Sequence, residues 1–206
     1  MTFSLTSLAR LAVPAALVVA APVAATPASD MAMVQKHLAG TSSMTAGFTQ
    51  TDGKGRSQAG TLSLKKPGKI RFEYGRGADM LLVGNGKTLT FVDYAVGQKS
   101  SWAIANSPLS VLLAPQPNLA RIARIQDSGN ANVVVVRARD ARRPEFGTLI
   151  LAFVRDGGSP GGLKLEGWTA IDAQNKKTTV RLNGQRYNVP VAESAFTYAE
   201  PSKKRG

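Results

Sequence analysis

Residues 60–93 read GTLSLKKPGKIRFEYGRGADMLLVGNGKTLTFVD, and this stretch decides the fold class. Apolar and polar side chains alternate along much of it, which is typical of β-strands with one buried and one solvated face. The runs 66–68 (KPG) and 85–86 (NG) interrupt the alternation, and an Asn-Gly pair is typical of a tight hairpin turn with two positive-φ residues. The stretch therefore predicts an antiparallel sheet with an apolar face that another part of the chain must cover.

The same patterns continue on both sides of this stretch. Further strands are predicted at 44–51, 98–104, 132–139, 147–154, 163–173 and 177–182, and residues 189–198 form a tail with Phe196 and Tyr198 on one face. Ser29 or Asp30 is expected to begin a helix that Gly40 ends. Two short helices are expected within 107–125, the second of them over 118–125. The pattern predicts a mainly β protein with a helical lid (α+β), in which about ten strands form an incomplete antiparallel β-barrel or strongly curved sheet with helices over its concave side.

The large apolar side chains fall into two groups. Those expected on the concave face are Phe48, Leu62, Leu64, Ile70, Phe72, Leu82, Leu89, Phe91 and Trp102. Those expected on the covering insert are Leu109, Leu112, Leu113, Leu119 and Ile122. Apolar alternation is compatible both with a filled core and with a ligand cavity, since it says nothing about empty space. Both interpretations stay open at this point.

Residues 1–25 have the organisation of a secretory signal peptide. Arg10 is the one charged residue among them, an apolar run follows it, and small residues precede the cleavage position expected after Ala25, with Ala28 as a second choice. A membrane anchor is the alternative, but the run is shorter than the roughly 20 residues needed to span a bilayer. We expect residues 26–206 to form one exported, soluble domain, without disulfides or a lipidated cysteine because the chain has no cysteine.

The chain is strongly basic. It has 26 Lys and Arg against 13 Asp and Glu, a net charge of +13. Removal of residues 1–25 would leave 25 basic and 13 acidic side chains, a net charge of +12. The basic residues are dispersed and lack the interleaved aromatic side chains of nucleic-acid sites, so we expect no nucleic-acid partner. A solvated basic surface is the simpler interpretation, with docking to an acidic surface as the alternative.

The residues needed for catalysis are scarce. One histidine, His37, and no cysteine exclude most metal, thiol and serine–histidine mechanisms, and His37 is expected to be a partly buried helix residue. Residues 84–88 (GNGKT) resemble a phosphate loop, but the Walker pattern requires glycine where Leu81 stands. Carboxylates such as Glu73 and Asp93 occur singly. We expect no enzymatic activity, no catalytic residue, no metal site and no cofactor.

The order of motifs is similar to that of a known family. After the leader and a short helix, the chain has MxAxFxQ at 44–50, GxLxLxKPGKIRFxY at 60–74, LVxNGKTL at 82–89, SPL at 107–109 with LL at 112–113, and FxY at 196–198. This succession, which spans nearly all of the chain after the leader, resembles the LolA family, the periplasmic outer-membrane lipoprotein carriers of Gram-negative bacteria. Each motif is weakly specific by itself, and the resemblance rests on their order and spacing.

The resemblance implies a monomeric half-barrel with an apolar interior closed by a helical lid. Such a carrier is a periplasmic chaperone in lipoprotein transport and outer-membrane biogenesis. It takes acylated lipoproteins from an inner-membrane ABC transporter, shields their acyl chains and delivers them to an outer-membrane acceptor. In many members an arginine stands at the position of Lys66 and holds the lid closed by hydrogen bonding. A lysine lacks the planar guanidinium fork, so we expect a Lys66 latch to be bonded differently.

Two other functions remain open from the sequence. The same fold serves in a regulatory module that senses mislocalised lipoproteins, although that family adds a second domain. The concave face is equally suited to another amphiphile, such as a glycolipid or a polyisoprenoid.

Overall fold

The computed structural model of the chain describes residues 26–75 and 79–201, so the predicted leader lies outside the described residues. Within them, eleven strands form one antiparallel sheet. The strands are β1 (Ser43–Asp52), β2 (Ser57–Lys65), β3 (Lys69–Tyr74), β4 (Met80–Asn85), β5 (Thr88–Asp93), β6 (Gln98–Ala103), β7 (Ala123–Gln126), β8 (Val133–Ala138), β9 (Thr148–Arg155), β10 (Leu163–Ile171) and β11 (Lys177–Tyr187). The α-helices in this part of the chain are α1 (Pro27–Gly40), α2 (Ser110–Leu113) and α3 (Leu119–Ile122).

The order of the strands places β6 and β7, which are consecutive in the chain, at opposite edges of the sheet. The order is β6-β5-β4-β3-β2-β1-β11-β10-β9-β8-β7, so β1 pairs with both β2 and β11. The segment between β6 and β7 must therefore cross from one edge to the other. It does so over the concave face, with a 3₁₀ turn (Ile104–Asn106) followed by α2 and α3. The predicted fold, a mainly β curved open sheet with short helices over its apolar concave side, is confirmed.

The register keeps apolar side chains on one face across the first half of the sheet. Ala46 lies opposite Leu62, which lies opposite Phe72. Phe72 in turn lies opposite Leu82, and Leu82 opposite Phe91. Directly paired residues point to the same side of a sheet. The alternation identified in the sequence thus produces one continuous apolar row across β1 to β5.

Helix α1 begins earlier than predicted. Thr26 is its N-cap, and it forms a reciprocal capping box in which the Ser29 N–H donates to the Thr26 hydroxyl at 3.2 Å and the Thr26 N–H donates to the Ser29 hydroxyl at 2.9 Å. The expectation that Ser29 or Asp30 caps the helix is wrong because Pro27 occupies its first turn, where a missing N–H is tolerated. In the described part of the chain, every helix is too short or too polar to cross a membrane.

The boundary between α3 and β7 also differs from the prediction. The sequence pattern predicts that the second helix of the insert continues through Ile125, but it ends at Ile122, and Ala123–Gln126 is a strand. Ile125 pairs with Val136 of β8. The apolar spacing of Leu119, Ile122 and Ile125 fits a helix. Residues 123–126 instead form backbone hydrogen bonds with the edge of β8, which satisfies their N–H and C=O groups.

The hairpin between β4 and β5 is present, but its backbone is not the one predicted. Gly86 has a φ of 107°, whereas Asn85 is not among the positive-φ residues. The Asn85 side-chain oxygen instead accepts hydrogen bonds from the Thr88 N–H at 2.9 Å and the Lys87 N–H at 3.1 Å. Asn85 closes the turn with its side chain, and only Gly86 needs the left-handed backbone.

The opposite, convex face carries a second apolar cluster that the sequence analysis does not predict. Leu81, Val83 and Val92 are buried there beneath Phe196. Within the predicted tail, Glu193–Phe196 is a 3₁₀ turn, and both Phe196 and Tyr198 pack in this cluster. This C-terminal segment is held by polar contacts rather than by strand pairing. The Lys65 ammonium lies 2.8 Å from the Glu193 carboxylate, which Lys69 also contacts, and the Arg71 guanidinium donates to the Thr197 carbonyl at 2.9 Å.

Candidate functional site: the concave face and its helical cover

The segment 104–122, hereafter the lid, packs its apolar side chains onto the concave face. Val111, Leu112, Leu113 and Leu119 are buried in the same core cluster as the inward side chains of the sheet. Leu109 and Ile122 are half-buried and pack against that cluster. The five residues predicted on the covering insert are therefore all placed against the concave face. Helix α1 covers the adjoining part of that face with Val34 and Leu38.

The residues predicted on the concave face fall into two groups in the structure. Six are fully buried beneath the lid and α1: Phe48, Leu62, Leu64, Ile70, Phe72 and Leu89. Leu82 and Phe91 are half-buried, and Trp102 is 41% exposed. These three lie toward the β6 edge, and every residue of β6 is exposed. The lid covers the centre of the sheet and leaves this edge open to solvent.

The second half of the sheet contributes side chains that the sequence analysis did not single out. Leu149, Leu151 and Phe153 of β9 are fully buried, and Trp168 of β10 is 3% exposed. The Trp168 ring lies 6.1 Å from that of Phe72, edge to face, so it joins the two halves of the concave face. The signal was present in the sequence as the alternation of residues 149–153, but local alternation does not show that β9 and β3 face the same core.

The concave face is filled beneath the centre of the lid, whereas a cleft of about 420 Å³ lined by Leu89, Trp102 and Leu109 lies toward the β6 edge. A void of about 10 Å³ remains beside Lys66, bounded by His37, Leu38 and Leu112 among others. This is room for about one water molecule. An acyl chain would therefore occupy the space that the lid side chains hold here, and the lid would have to move away from the sheet to admit it.

Lys66 lies in the turn between β2 and β3 and reaches this void. Its ammonium donates a hydrogen bond to the Leu38 carbonyl oxygen in the last turn of α1. Burial lowers the pKa of Lys66 to about 8, because the charged form loses hydration. Lys66 thus bonds to α1 and not to the lid. A neighbouring residue of the same turn bonds to the lid: the Gly68 N–H donates a hydrogen bond to the Leu113 carbonyl oxygen at 3.1 Å. The turn thus contacts both α1 and the end of α2.

His37 is buried and belongs to the structural framework of the site. Its Nδ1 lies 2.7 Å from the Leu163 carbonyl oxygen and 2.9 Å from the Pro160 carbonyl oxygen, and its N–H donates to them. The ring therefore connects α1 to the start of β10. The ring meets Phe153 and Tyr187 edge to face at 5.0 and 5.3 Å. Burial lowers the pKa of His37 despite the two carbonyl acceptors. A neutral imidazole that packs and donates one proton accounts for all of these contacts.

Comparison with known proteins identifies the family. The family model described as outer membrane lipoprotein carrier protein LolA matches residues 39–199. An outer-membrane lipoprotein carrier protein of Chromobacterium violaceum is 26% identical over 195 residues, which cover 91% of each chain. One from Neisseria meningitidis serogroup B is 26% identical over 161 residues, or 75% of each chain. The crystal structure of a LolA superfamily protein from Nitrosomonas europaea aligns with 85% of this chain and 99% of that chain, at 9% identity and a TM-score of 0.44. Because residues 39–199 include the whole sheet and the lid, the chain belongs to the LolA family of outer-membrane lipoprotein carrier proteins.

Proposed function

We propose that this protein is a periplasmic carrier that shields the acyl chains of lipoproteins on the concave face of its sheet. The observation that carries the proposal is the path of the lid across the sheet. This one segment joins the two edges of the sheet, and it covers the apolar face through side-chain packing rather than through strand pairing. A cover of this kind can leave the sheet without breaking a ladder of backbone hydrogen bonds. Membership of the lipoprotein-carrier family supports the same function.

The energies of the two states are close enough for reversible binding. An acyl chain of about 16 carbons gains roughly 10–13 kcal/mol when it is fully removed from water, at about 0.8 kcal/mol per methylene. Displacing Val111, Leu112, Leu113 and Leu119 costs about 6–12 kcal/mol, at roughly 1.5–3 kcal/mol for each side chain that becomes fully exposed. The two terms nearly cancel, so cargo can replace the lid without becoming irreversibly bound. A carrier that must also release its cargo needs this balance.

The proposal assigns three roles to residues of the site. The acyl chains would contact Phe48, Leu62, Leu64, Ile70, Phe72, Leu82, Leu89, Phe91 and Trp102. The lid would act through Leu109, Leu112, Leu113, Leu119 and Ile122. Lys66 would act as the latch, through α1 rather than through the lid itself, while Gly68 would hold α2. Leu82, Phe91 and Trp102 would lie where an acyl chain enters, because they flank the uncovered β6 edge.

The proposed route follows from the chemistry of the cargo. The carrier would receive lipoproteins from an inner-membrane ABC transporter and pass them to an outer-membrane acceptor. Transfer changes no covalent bond, so we propose no enzymatic step. Residues 1–25 would be removed on export, and residues 26–206 would act as a single carrier domain in the periplasm.

Displacement of a fluorescent fatty-acid analogue tests the proposal. We expect saturable binding of the analogue to the purified protein and its displacement by a triacylated lipopeptide. A glycolipid or polyisoprenoid that displaced the analogue in place of the lipopeptide would identify another amphiphile as the cargo. Absence of any displacement by the lipopeptide would contradict the carrier function.

Substitution of Leu112, a lid residue that is 4% exposed, separates a binding role from a packing role. Leu112→Asp should strengthen binding of the analogue about tenfold or more while the protein remains folded, because the carboxylate favours an open lid, which lowers the cost of displacing the lid, and leaves the sheet intact. Val96→Asp introduces the same charge at a side chain that is 58% exposed and should leave binding unchanged. If Leu112→Asp reduced binding only in proportion to the folded fraction, the lid would be ordinary core.

A further inference from the structure

A cleft of about 320 Å³ lies beside the lid, between α2 and α3 on one side and residues 138–147 on the other. Its walls are largely apolar, and Val111, Ile122 and Phe146 contribute to them. Arg121, Arg139 and Arg143 also line it. The side chains of Arg121 and Arg143 are 59% and 54% exposed, so their guanidinium groups face solvent at the rim.

One acidic side chain in this cleft partly balances the arginines. Asp140 lies 3.1 Å from the Arg143 guanidinium and 3.7 Å from that of Arg121. Arg142, two residues further along the chain, is exposed and donates its backbone N–H to Asp140 at 3.0 Å. Three arginines and one aspartate therefore line this apolar cleft, and Arg142 and Glu145 are exposed on the adjoining turn. The excess positive charge of the lining lies beside the lid, which is the segment that has to move.

A second cleft, of about 420 Å³, adjoins the first and shares Ser107, Pro108 and Phe146 with it. Trp102 lines this second cleft and is 41% exposed. Lys176 lies there too, with Glu145 and Asp172 as the acidic side chains. An indole at the border of a charged surface is typical of membrane interfaces, where tryptophan places its ring at the level of the lipid headgroups.

We propose that Trp102, Arg121, Arg139, Arg142, Arg143 and Phe146 form a docking surface for an anionic phospholipid bilayer. The arginines complement the negative headgroups, and Trp102 and Phe146 supply the apolar side chains that enter the interface. Docking through this surface would place the lid against the membrane. A bilayer accounts for the arginines and for the exposed indole with one partner, and an acidic protein is the alternative that the vesicle experiment tests. The proposal concerns the headgroups of the membrane and does not depend on the identity of the cargo.

Vesicle sedimentation at physiological ionic strength tests the charge requirement. Phosphatidylglycerol–phosphatidylcholine vesicles should bind the protein strongly, and pure phosphatidylcholine vesicles with the same acyl chains should bind it weakly. Uptake of lipid as cargo would be equal for the two vesicles because their acyl chains are the same. Equal binding to both, or no binding to either, would overturn the docking proposal while leaving the carrier function unaffected.

A matched pair of double variants distinguishes this surface from the overall positive charge. Arg139→Gln/Arg142→Gln should weaken binding to the anionic vesicles about 25-fold, since one basic residue near a charged surface contributes about fivefold. Arg181→Gln/Arg186→Gln removes the same charge from exposed positions on β11, opposite Thr49 and Thr45 on the convex face, and should weaken binding much less. Equal losses in the two variants would show unspecific attraction and contradict the proposal.

Tryptophan emission gives an independent readout. The sequence has two tryptophans, and Trp168 is buried whereas Trp102 is exposed. Anionic vesicles should shift the emission to shorter wavelength, and Trp102→Phe should abolish that shift. Binding that left the emission of the wild type unchanged would exclude Trp102 from the membrane interface and overturn the proposed orientation.

Discussion

The backbone N–H of Gly68 donates a hydrogen bond to the carbonyl oxygen of Leu113 at 3.1 Å. Leu113 is the last residue of α2, and Gly68 belongs to the turn between β2 and β3. In the same turn, the Lys66 ammonium bonds to the Leu38 carbonyl in α1. A single turn of the sheet therefore holds the ends of two helices that cover the concave face. Changes in this turn should alter the closure of the lid more than the stability of the sheet.

Gly68→Ala should open the lid. Gly68 has a φ of 71°, and a Cβ there would lie 2.4 Å from the Gly86 carbonyl oxygen, so the turn must shift, which disturbs the hydrogen bond from Gly68 to Leu113. Gly55 has a φ of 80°, but a Cβ at that residue would have no neighbouring atom within 4 Å, which makes Gly55→Ala a control for backbone strain alone. In urea unfolding, we expect the free energy of unfolding to fall by about 1 kcal/mol for Gly55→Ala and by at least about 2 kcal/mol for Gly68→Ala. Hydrogen exchange at residues 110–114 should increase only in Gly68→Ala, and equal exchange in both variants would contradict this role.

The buried ammonium of Lys66 should make stability depend on alkaline pH. Burial lowers its pKa to about 8 from an ordinary value of 10.5, so the unfolded chain binds more protons than the native protein between those values. Stability from this group therefore rises as the pH increases from about 8 to 10.5, and the contribution is constant below about 8. Lys66→Met should lack this rise.

The difference in unfolding free energy between Lys66→Met and wild type is the quantity to measure across this range. Burial raises the pKa values of Tyr74 and Tyr187, and their ionisation opposes the lysine effect at high pH in both proteins, so it cancels in the difference. Parallel stability profiles for the two proteins would show that Lys66 is not desolvated in solution.

His37 should make the wild type sensitive to acid. Burial lowers its pKa below the ordinary value of 6.5, and the nearby Lys66 charge acts in the same direction. At pH values below 6.5 the unfolded chain gains a proton that the native protein resists, so this contribution to stability is lost as the pH falls. His37→Asn keeps a donor near the position of Nδ1 and should show a smaller loss of stability between neutral pH and about pH 5. A loss as steep as that of the wild type would contradict the assignment.

Phe196→Ala should destabilise the fold without affecting the binding of acyl ligands. Phe196 is 5% exposed and covers Leu81, Val83 and Val92 on the convex face, away from the lid. Removing such a buried ring costs about 3–5 kcal/mol. We expect a lower urea midpoint and an unchanged affinity for the fluorescent fatty-acid analogue at low urea, with Ser194→Ala, at an exposed position of the same 3₁₀ turn, as a control that changes neither. A selective loss of affinity would indicate that the convex cluster communicates with the concave face.

Much of the fold could be predicted because burial follows a local pattern in β-strands. Leu62, Ile70 and Phe72 alternate with polar neighbours, and all three are buried as expected. Prediction failed where another segment of the chain packs on the face of the sheet that was expected to be exposed to solvent. Leu81 and Val83 break the expected solvated face because the C-terminal segment covers them, and no local pattern in β4 shows that a segment more than a hundred residues later will pack there.

The candidate site shows the same limit. Phe48 and Leu89 are predicted on the concave face and lie deep beneath its cover, whereas Trp102, predicted on the same face, is largely uncovered. The difference arises because Trp102 is on β6, an edge strand. An amino-acid sequence shows which side of a strand a residue occupies, but the position of that strand in the sheet depends on every other pairing.

By itself the sequence determined that the chain forms antiparallel strands with one apolar face and that residues 107–113 contain an apolar helical segment able to cover it, because both properties depend on the spacing of neighbouring side chains. Only the tertiary structure decided where that segment lies. The pairing of β1 with β11 brings together residues such as Phe48 and Leu182, joins the two halves of the sheet and leaves β6 and β7 at opposite edges. The segment between them must then cross one face of the sheet, and burial of its apolar side chains against the concave face decides which one.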